Sequence, residues 1–460
     1  MRKAVLGFIL FILAIATYSF WGDFSLIKRL IGYNVPEITD IPIAKPKIDN
    51  SQDGLGFLNV PEGFKISITA KDLTNPRVIT FDEKDRVLVS ETKAGRVSIL
   101  EDKDKDGVFE SKRILIDNLR SPHGLAFLFY INDNTKVKTT YLYVAETHQV
   151  ARYPYDVDTG TVTKVIGENI ATLPADGQHV TRTIIFGRNT RDLDLVGQKI
   201  IGGFYHKDKL YISVGSSCDV CEESTWKRAA ILESDPEGTF TGEYAGGLRN
   251  SVFMALHPET YEIWATDMGR DNLGDDLPPD EVNIIKAATS EHKFGARRFG
   301  WPFCYGNKIK DETFKPEKFE RIDIPTDCSR TDAPVIEIPA HSAPLGLAFI
   351  PSNLPTSDVD ATSDVKWPKE WENNLLVAYH GSWNRSEPTG YKIVKFKVDK
   401  NGKVSETSDF ITGWLNPSAG SGRAKIYGRP VDLKFGPDSN LYISDDAGGI
   451  IYRVEPTPKQ

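Results

Sequence analysis

The stretch Arg86–Leu100, RVLVSETKAGRVSIL, consists of two β-rich runs joined through a small or acidic residue and a turn. Alternating apolar residues rich in Val and Ile are typical of strands, and the polar turn between them is typical of a hairpin. The same pattern recurs five more times along the chain. The later copies are Tyr141–Tyr153, Leu210–Ser217, Glu262–Gly269, Asn373–Phe396 and Asn440–Val454.

Six strand-rich units of propeller-blade size predict an all-β fold, a six-bladed β-propeller, over residues 56–457. A large insertion lies between the fourth and fifth units. No long stretch after the N-terminus has helical periodicity, and 37 Gly and 27 Pro imply many turns. A β-sandwich is the alternative, but a sandwich would not repeat itself in this way.

The N-terminus has the composition of a targeting segment. Met1-Arg2-Lys3 is basic, and Ala4–Trp21 is almost entirely apolar. With Ala14-Ile15-Ala16 as a cleavage site, residues 1–22 would be a signal peptide; uncleaved, they are long enough for a membrane anchor. Both interpretations predict an exported, extracytoplasmic protein, and an uncleaved segment would also tether it to the membrane. Residues 23–55 are predicted to be a linker.

Composition and charge narrow the function classes. Apolar residues make up 40% of the chain and charged residues 26%, which is ordinary for a globular protein. The net charge of −8 argues against a general nucleic-acid binder, because such proteins need a basic surface for phosphates.

Because the protein is predicted to be exported, its four cysteines are expected to form disulfides. Cys304 and Cys328 flank a charged insertion and could close it as a disulfide. Cys218-x-x-Cys221 has no second Cys pair or nearby His for zinc, and no βαβ context for a thioredoxin-like motif. A short disulfide staple in an oxidising compartment is the favoured interpretation.

A run of motifs between residues 247 and 302 indicates a ligand site on irregular backbone. Its members are GLRNS at Gly247–Ser251, YEIWATDMG at Tyr261–Gly269, DDLPPDEVN at Asp275–Asn283 and FGWP at Phe299–Pro302. This run closely resembles the glucose/sorbosone dehydrogenase family, soluble sugar dehydrogenases that use pyrroloquinoline quinone (PQQ). The resemblance continues along most of the chain after about residue 60.

The resemblance implies a set of cofactor-binding side chains. The family has an Arg-Asn pair where this chain has Arg249-Asn250, and a second arginine that matches Arg429. Arg385 lies where the family has a basic residue facing the quinone. Guanidinium groups suit PQQ because it carries three carboxylates, which accept paired hydrogen bonds from arginine.

The resemblance also implies a Ca²⁺ ion held by two consecutive backbone carbonyls, here those of Gly269 and Arg270. Calcium favours oxygen ligands, carbonyls among them. The family commonly has Pro at the second position, so Arg270 departs from its pattern. Backbone ligation tolerates that change.

A polar loop, Gln178–Arg182, precedes the predicted strand that starts at Thr183. A lone His is commonly a structural residue, but His179 lies beside polar groups and imidazole can exchange a proton near neutral pH. The motif His-x-x-Arg-x-apolar matches the family's catalytic histidine. The resemblance therefore implies that His179 is the general base, with Arg182 beside it in the catalytic group.

Two related loops, Ser121–Phe127 and His341–Phe349, each place a His before a strand. One interpretation is that both loops are copies of one blade entry in which the His caps the loop. The family instead places polar residues of both loops in the cofactor cleft. We therefore expect His123 and His341 to contact the cofactor.

The segment Asp102–Glu110, DKDKDGVFE, resembles the opening of a Ca²⁺ loop, with Gly107 at the turn. It is not an EF-hand, because position twelve is Arg113 and no helices flank it. Two interpretations stay open: a second Ca²⁺ site formed by Asp102, Asp104 and Asp106, or a solvated acidic turn.

The predicted function is PQQ- and Ca²⁺-dependent oxidation of an aldose or a sugar aldehyde, with hydride transfer to the quinone. Electrons would then pass to an acceptor, a quinone or a cytochrome. A calcium-dependent lactonase on a similar propeller is one alternative, although it would need a ring of acidic ligands. A non-catalytic propeller that binds a protein or glycan at the cell surface is another, since fold alone does not settle function.

Overall fold

The computed structural model describes residues 55–131, 135–188, 208–289, 296–316, 324–352, 367–417 and 424–457. The predicted targeting segment and nearly all of the predicted linker lie outside these ranges. Within them, no helix is long and apolar enough to cross a membrane.

The described chain is built from short strands with three 3₁₀ turns. The strands are β1 (Phe64–Ala70), β2 (Pro76–Phe81), β3 (Val87–Glu91), β4 (Arg96–Glu101), β5 (Ser111–Ile116), β6 (Leu125–Ile131), β7 (Lys138–Glu146), β8 (Gln149–Asp156), β9 (Thr161–Val162), β10 (Glu168–Thr172), β11 (Ile184–Arg188), β12 (Asp208–Val214), β13 (Ala230–Ser234), β14 (Thr241–Gly246), β15 (Met254–Leu256), β16 (Ile263–Asp267), β17 (Asp280–Ile285), β18 (Arg297–Arg298), β19 (Cys304–Tyr305), β20 (Ile309–Lys310), β21 (Ile336–Ile338), β22 (Pro344–Phe349), β23 (Leu375–Tyr379), β24 (Lys392–Val398), β25 (Val404–Ile411), β26 (Leu415–Asn416), β27 (Lys425–Ile426), β28 (Pro430–Phe435), β29 (Leu441–Asp445) and β30 (Ile450–Pro456). The 3₁₀ turns are Thr92–Ala94, Cys328–Arg330 and Lys369–Trp371.

Most of these strands form six antiparallel sheets, the blades of a propeller, and two small two-stranded sheets, β19–β20 and β26–β27, lie outside the blades. Blade 1 is β2–β5, and blade 2 is β6, β7, β8 and β10. Blade 3 is β11–β14, and blade 4 is β15, β16, β17 and β21. Blade 5 is β22–β25, and blade 6 is β28, β29, β30 and β1. The predicted six-bladed propeller is confirmed, and each repeated motif supplies the second strand, or the second and third strands, of one blade.

Blade 6 closes the ring, because its outer strand comes from the other end of the chain. β1 pairs antiparallel with β30, from Phe64 opposite Pro456 to Ala70 opposite Ile451. The early and late segments of the domain are thereby joined in one sheet, and the ring of blades has no gap where it starts. Radial closure of this kind leaves only short strand edges exposed.

The large insertion lies inside blade 4 and not between two blades, which corrects the placement suggested by the repeats. It separates β17 from β21, the outermost strand of that blade. β21 has three residues, too few for a recognisable alternating pattern. Part of the insertion, β18, pairs in parallel with β14 of blade 3.

Neighbouring blades are held together by buried apolar faces and by hydroxyl groups. Trp264 in blade 4 is fully buried, and its ring meets Phe349 of blade 5 edge-on with ring centroids 5.2 Å apart. Thr266 Oγ1 donates to the Leu345 carbonyl at 2.9 Å, again from blade 4 to blade 5. Ser444 Oγ of blade 6 likewise donates to the Arg77 carbonyl of blade 1 at 2.6 Å. Each such buried bond contributes roughly 1 kcal/mol.

The innermost strand of every blade lines a central channel of about 710 Å³. All six inner strands begin at the same end of the propeller. The segments that precede them, and the segments joining the second and third strands of each blade, therefore meet at that end. We call this end the site face.

Candidate functional site

The ring of blades brings most of the predicted site residues to the site face, although they are scattered along the sequence. One set of residues directly precedes the inner strands of blades 2 to 6: His123, Arg182, Arg249, Asn250, His341 and Arg429. His179 lies in the same loop as Arg182. A second set follows the second strands of blades 4 and 5: Gly269, Arg270 and Arg385. Asp102, Asp104 and Asp106 lie between the third and fourth strands of blade 1, at the opposite end.

His179 has one engaged and one free ring nitrogen. Nδ1 lies 2.9 Å from the Ser216 carbonyl oxygen and 2.9 Å from Ser216 Oγ. A carbonyl can only accept, so Nδ1 carries the proton in the neutral ring and Nε2 keeps its lone pair. Within the described ranges no hydrogen bond uses Nε2. The side chain therefore presents a proton acceptor.

The surroundings of His179 keep it neutral. Burial lowers its pKa to about 4, and the positive charge of Arg249 acts in the same direction. The Ser216 carbonyl and the Asp219 carboxylate oppose this shift without cancelling it. At neutral pH the imidazole is thus uncharged, which is the state a general base requires.

The Arg182 side chain holds the His179 loop in place through hydrogen bonds to its backbone. Its side chain is fully buried and donates to the carbonyl oxygens of His179 and Thr181, both at 2.8 Å, and of Pro174 at 2.9 Å. Burial, and then the nearby Arg228, lower its pKa to about 9, so it remains a cation at neutral pH. These contacts make Arg182 a positioning residue for His179.

The Arg249 side chain is held by two carboxylates and two backbone carbonyls, one of them that of Met268 at 3.4 Å. Its Nε donates to the Asp219 carbonyl at 3.0 Å, and its Nη2 donates to Asp219 Oδ1 at 2.8 Å and to Asp271 Oδ2 at 3.2 Å. The backbone N–H groups of Arg249 and Asn250 donate to the buried Asp267 carboxylate at 3.1 and 2.7 Å. The Arg-Asn pair is therefore fixed in the backbone as well as at its side chains.

A second group of site-face residues was missed at the sequence level: Arg77, His380 and Asp446. Arg77 Nη1 donates to Asp446 Oδ2 at 2.7 Å, and His380 Nε2 lies 2.9 Å from Asp446 Oδ1. Burial opposes ionisation of Asp446, but the charges and hydrogen bonds of His380 and Arg77 hold its pKa well below the ordinary range. Asp446 directly follows Asp445, which is the acidic residue at the end of the repeated strand in the sixth unit, and this Asp-Asp pair is a signal that could have identified it.

The Arg429 side chain is held by a carbonyl, a hydroxyl group and an aromatic ring. It donates to the Gly381 carbonyl at 3.1 Å and to the Tyr391 hydroxyl at 3.0 Å, and it lies 4.9 Å over the Tyr391 ring. His380 Nδ1 is 3.4 Å from its Nη1. No carboxylate pairs with Arg429 in the described part of the chain. Its charge is thus available to an anionic ligand.

The two predicted histidines differ in their surroundings. His123 is fully buried; Nδ1 lies 3.0 Å from Thr183 Oγ1, and Nε2 accepts from Arg77 Nε at 3.4 Å. Burial lowers the pKa of His123 well below its usual value, so the ring is neutral. His341 lies nearer the surface, with Nε2 2.8 Å from the Gly274 carbonyl. Direct cofactor contact by either residue stays a prediction; for His123 the geometry indicates support of Arg77.

Arg385 connects two loops of the site face. Nη2 donates to Asp276 at 3.0 Å and Nη1 to the Ala340 carbonyl at 3.2 Å. Trp383, two residues earlier, has 57% of its surface exposed, and Asn384 donates to Asp271 at 2.7 Å. This segment therefore combines a cation with an exposed aromatic face.

The Gly269-Arg270 segment fits the predicted metal ligation. Gly269 N–H donates to Asp280 at 2.9 Å, and a Cβ at Gly269 would lie only 2.8 Å from Pro278. The Arg270 side chain is bonded to Asp311 at 2.7 Å and to Thr313 at 2.9 Å. In the described ranges no hydrogen bond ends on either carbonyl oxygen. Ligation of Ca²⁺ by these two oxygens stays a prediction, and Arg270 in place of Pro does not contradict it.

The acidic turn of blade 1 gathers four carboxylates. Oxygens of Asp102, Asp104, Asp106 and Glu110 all lie within 4.8 Å of one another. Gly107 has a φ of +91°, as the tight turn requires. Exposed acidic groups often cluster without a metal, so Ca²⁺ binding at this turn stays a prediction.

Both predicted disulfides are confirmed, and no described cysteine is free. Cys304–Cys328 fastens the insertion in blade 4. Cys218–Cys221 lies in the segment between β12 and β13, on the site face. Its loop contains Asp219, the partner of Arg249.

Comparison with known families places the chain in a class of sugar dehydrogenase-like propellers. The TrAA12-like family model matches residues 58–457. The chain therefore belongs to the TrAA12-like family, within the propellers similar to soluble PQQ-dependent glucose and aldose sugar dehydrogenases.

Three relatives cover most of the chain. A protein of Borreliella burgdorferi without a described function is 29% identical over 439 residues, which span 91% of this chain and 94% of the relative. The PQQ-dependent pyranose dehydrogenase of Coprinopsis cinerea is 24% identical, over 86% of this chain and 54% of its own length. The PQQ-dependent sugar dehydrogenase of Hypocrea jecorina is 25% identical, over 86% of this chain and 88% of its own length.

Solved structures agree on the fold. The PQQ domain of the Coprinopsis cinerea pyranose dehydrogenase, in its holo form, has a TM-score of 0.63 at 22% identity, covering 86% of this chain and 97% of that one. The calcium structure of the Trichoderma reesei family AA12 enzyme has a TM-score of 0.64 at 21% identity, covering 89% and 99%. At sequence identities this low, the structural similarity shows only that the proteins share the propeller fold.

Proposed function

We propose that the protein is a PQQ-dependent dehydrogenase that oxidises an aldose or a sugar aldehyde. Two relatives are named as PQQ-dependent pyranose and sugar dehydrogenases, and the family match spans nearly the whole propeller. The site face supports the same chemistry independently, because it combines cations for an anionic cofactor with a neutral base.

The observation that carries the proposal is the state of His179. Its Nδ1–H is directed to Ser216, its Nε2 is free, and its pKa is lowered to about 4. Nε2 takes the proton of the sugar hydroxyl as the hydroxyl carbon is oxidised. When bound, PQQ supplies the two-electron acceptor for the hydride. Arg182 holds the base in place through the His179 carbonyl.

Arginines and carbonyls of the site face would hold the cofactor and its metal. Arg429, which has no carboxylate partner in the described ranges, is the strongest candidate for a PQQ carboxylate, followed by Arg249 and Arg385. The carbonyl oxygens of Gly269 and Arg270 are candidates for Ca²⁺, which would polarise the reacting oxygen. Exposed Trp383 offers an aromatic surface to the sugar ring.

The acidic groups of the site face do not favour a lactonase. Such an enzyme would need carboxylates directed at one central metal. On the site face, Asp219 and Asp271 are bonded to Arg249, and Asp446 to Arg77. These carboxylates serve to fix cations, which suits an anionic cofactor.

The proposal includes an extracytoplasmic location and an electron acceptor, a quinone or a cytochrome. Two disulfides suit an oxidising compartment. The apolar segment Ala4–Trp21 would direct export and could tether the domain to a membrane.

The test begins with the purified protein, PQQ and Ca²⁺. Tight binding, seen as a change in PQQ absorbance, and dye reduction with aldoses are expected. His179→Gln should bind PQQ but lose turnover, whereas His257→Asn should retain both. His257 is a matched control because it lies at the opposite end of blade 4, where its Nδ1 accepts from Glu259 and Thr260 backbone N–H groups. Absence of PQQ binding by the wild type would reject the proposal.

A further inference from the structure

The Cys218–Cys221 disulfide closes a four-residue ring on the site face. Both cysteines are only partly buried, so a reductant can reach them. The segment between β12 and β13 that contains them has no strand of its own. Within this segment, Ser217 N–H donates to the Glu223 carboxylate at 2.5 Å. The disulfide therefore restrains backbone that secondary structure does not.

One side of this ring contacts the base. Ser216 Oγ donates to the Cys218 carbonyl at 2.6 Å and lies 2.9 Å from His179 Nδ1. Gln178 N–H donates to the Ser217 carbonyl at 2.9 Å. The position of Cys218 thus determines the orientation of Ser216, and Ser216 determines which nitrogen of His179 is free.

The other side of the ring contacts the predicted cofactor arginine. Asp219, inside the ring, accepts from Arg249 through its carbonyl at 3.0 Å and its carboxylate at 2.8 Å. The same carboxylate accepts from Asp271 N–H at 2.7 Å, and the carbonyl also accepts from Trp301 Nε1 at 3.2 Å. Asp219 therefore ties Arg249 to the segment that carries the two free carbonyls.

We propose that the Cys218–Cys221 disulfide is a redox-sensitive lock: oxidised, it holds His179 and Arg249 in their working positions, and reduced, it releases them and weakens cofactor binding and turnover. The roles of His179 and Arg249 in this statement rest on the proposed function. The lock itself rests on the contacts of Ser216 and Asp219. It makes Asp219 and Ser216 positioning residues.

The chemistry of release is thiol–disulfide exchange with a protein dithiol. A thiolate of the reductant attacks one sulfur of Cys218–Cys221, and the other cysteine leaves as a thiolate and takes up a proton. The second thiol of the reductant then resolves the mixed disulfide. Cys218 and Cys221 end as thiols, and the reductant ends as the disulfide, so two electrons have moved to this protein.

The test compares the two disulfides within one protein. Three proteins are compared: the wild type, the double variant Cys218→Ser/Cys221→Ser and the double variant Cys304→Ser/Cys328→Ser. Each is treated with a phosphine reductant, desalted under argon and titrated with PQQ in the presence of Ca²⁺. Desalting matters because PQQ is itself reducible. Thiol titration confirms that each remaining disulfide has opened.

Reduction should weaken PQQ binding at least tenfold in the wild type and in Cys304→Ser/Cys328→Ser, and reoxidation should restore it. In Cys218→Ser/Cys221→Ser, binding should be weak before treatment and unchanged by it. Wild-type affinity in that double variant, or an unchanged affinity in wild type with its thiols shown free, would overturn the lock.

A second measurement separates the lock from the proposed function. In the protein without PQQ, the His179 ring signals in NMR should shift when Cys218–Cys221 is reduced, because the Ser216 contact is lost. If oxidised wild type binds no PQQ, the proposed function fails, and the NMR result alone decides the lock. Unchanged His179 signals after complete reduction would overturn it.

Discussion

Replacing His179 by Gln should separate proton transfer from cofactor binding. The Gln amide can still donate to the Ser216 carbonyl, so the loop keeps its contact while the base is lost. Turnover should fall by about a hundredfold or more, the usual scale for a general base. PQQ affinity should change little, because His179 is proposed to act on the substrate.

The same prediction has a pH signature. With its pKa lowered to about 4, His179 stays mostly neutral at pH 5.5, whereas an ordinary histidine of pKa about 6.5 would be mostly protonated at that pH. Since the neutral ring is the active base, the acid limb of kcat/KM should lie near pH 4. Burial is the main cause of the shift, and the charge of Arg249 adds to it.

The assay is initial-rate dye reduction from about pH 3 to 8 at saturating PQQ and Ca²⁺, with circular dichroism to confirm that the fold persists at each pH. Wild type should retain nearly full rate at pH 5.5, and His179→Gln should lose the acid limb along with its turnover. An acid limb near pH 6.5 in wild type would refute the buried, neutral state. A variant with more than about a tenth of wild-type turnover would remove His179 as the base.

Three further outcomes test the rest of the site. Arg249→Ala should weaken PQQ binding by about 2 kcal/mol or more, roughly thirtyfold, because a charge-assisted contact is lost; unchanged affinity in a titration would exclude Arg249 from the site. Chelation should abolish activity and Ca²⁺ should restore it, if the carbonyls of Gly269 and Arg270 hold the metal; full activity in dialysed, chelator-treated protein would contradict this. Thiol titration of the denatured, unreduced protein should find no free thiol, because Cys218–Cys221 and Cys304–Cys328 are both bonded, and two or four thiols would contradict that pairing.

The fold could be predicted because its signal is local and repeated. Alternation of apolar residues along segments such as Arg86–Leu100 and Asn440–Val454 indicates strands, and six copies leave few architectures other than a six-bladed ring. The placement of the insertion could not be predicted in the same way. The strand that assigns it to blade 4, Ile336–Ile338, is too short for a pattern.

The sequence nominated part of the candidate site, and the roles of those residues stay predictions. His179, Arg249 and Arg429 stand in motifs that can be matched residue by residue, so the sequence suffices to nominate them. The protonation state of His179 and the ion pairing of the two arginines could not be predicted from the motifs. The lowered pKa of His179 depends on burial by other loops, and the open charge of Arg429 depends on which carboxylates the fold leaves out of reach.

By itself, the sequence determined the blade repeats, the pairing of cysteines and the residue types from which a cofactor site could be built. Only the tertiary structure decided how these residues act together. Arg77 and Asp446 are 369 positions apart, yet their side chains lie 2.7 Å from each other because β1 joins β30 and closes the ring. Ser216 is 37 positions from His179, yet it determines which imidazole nitrogen is free. Hydrogen bonds and burial act over a few ångströms of space, so they follow the folded chain and not the order of residues along it.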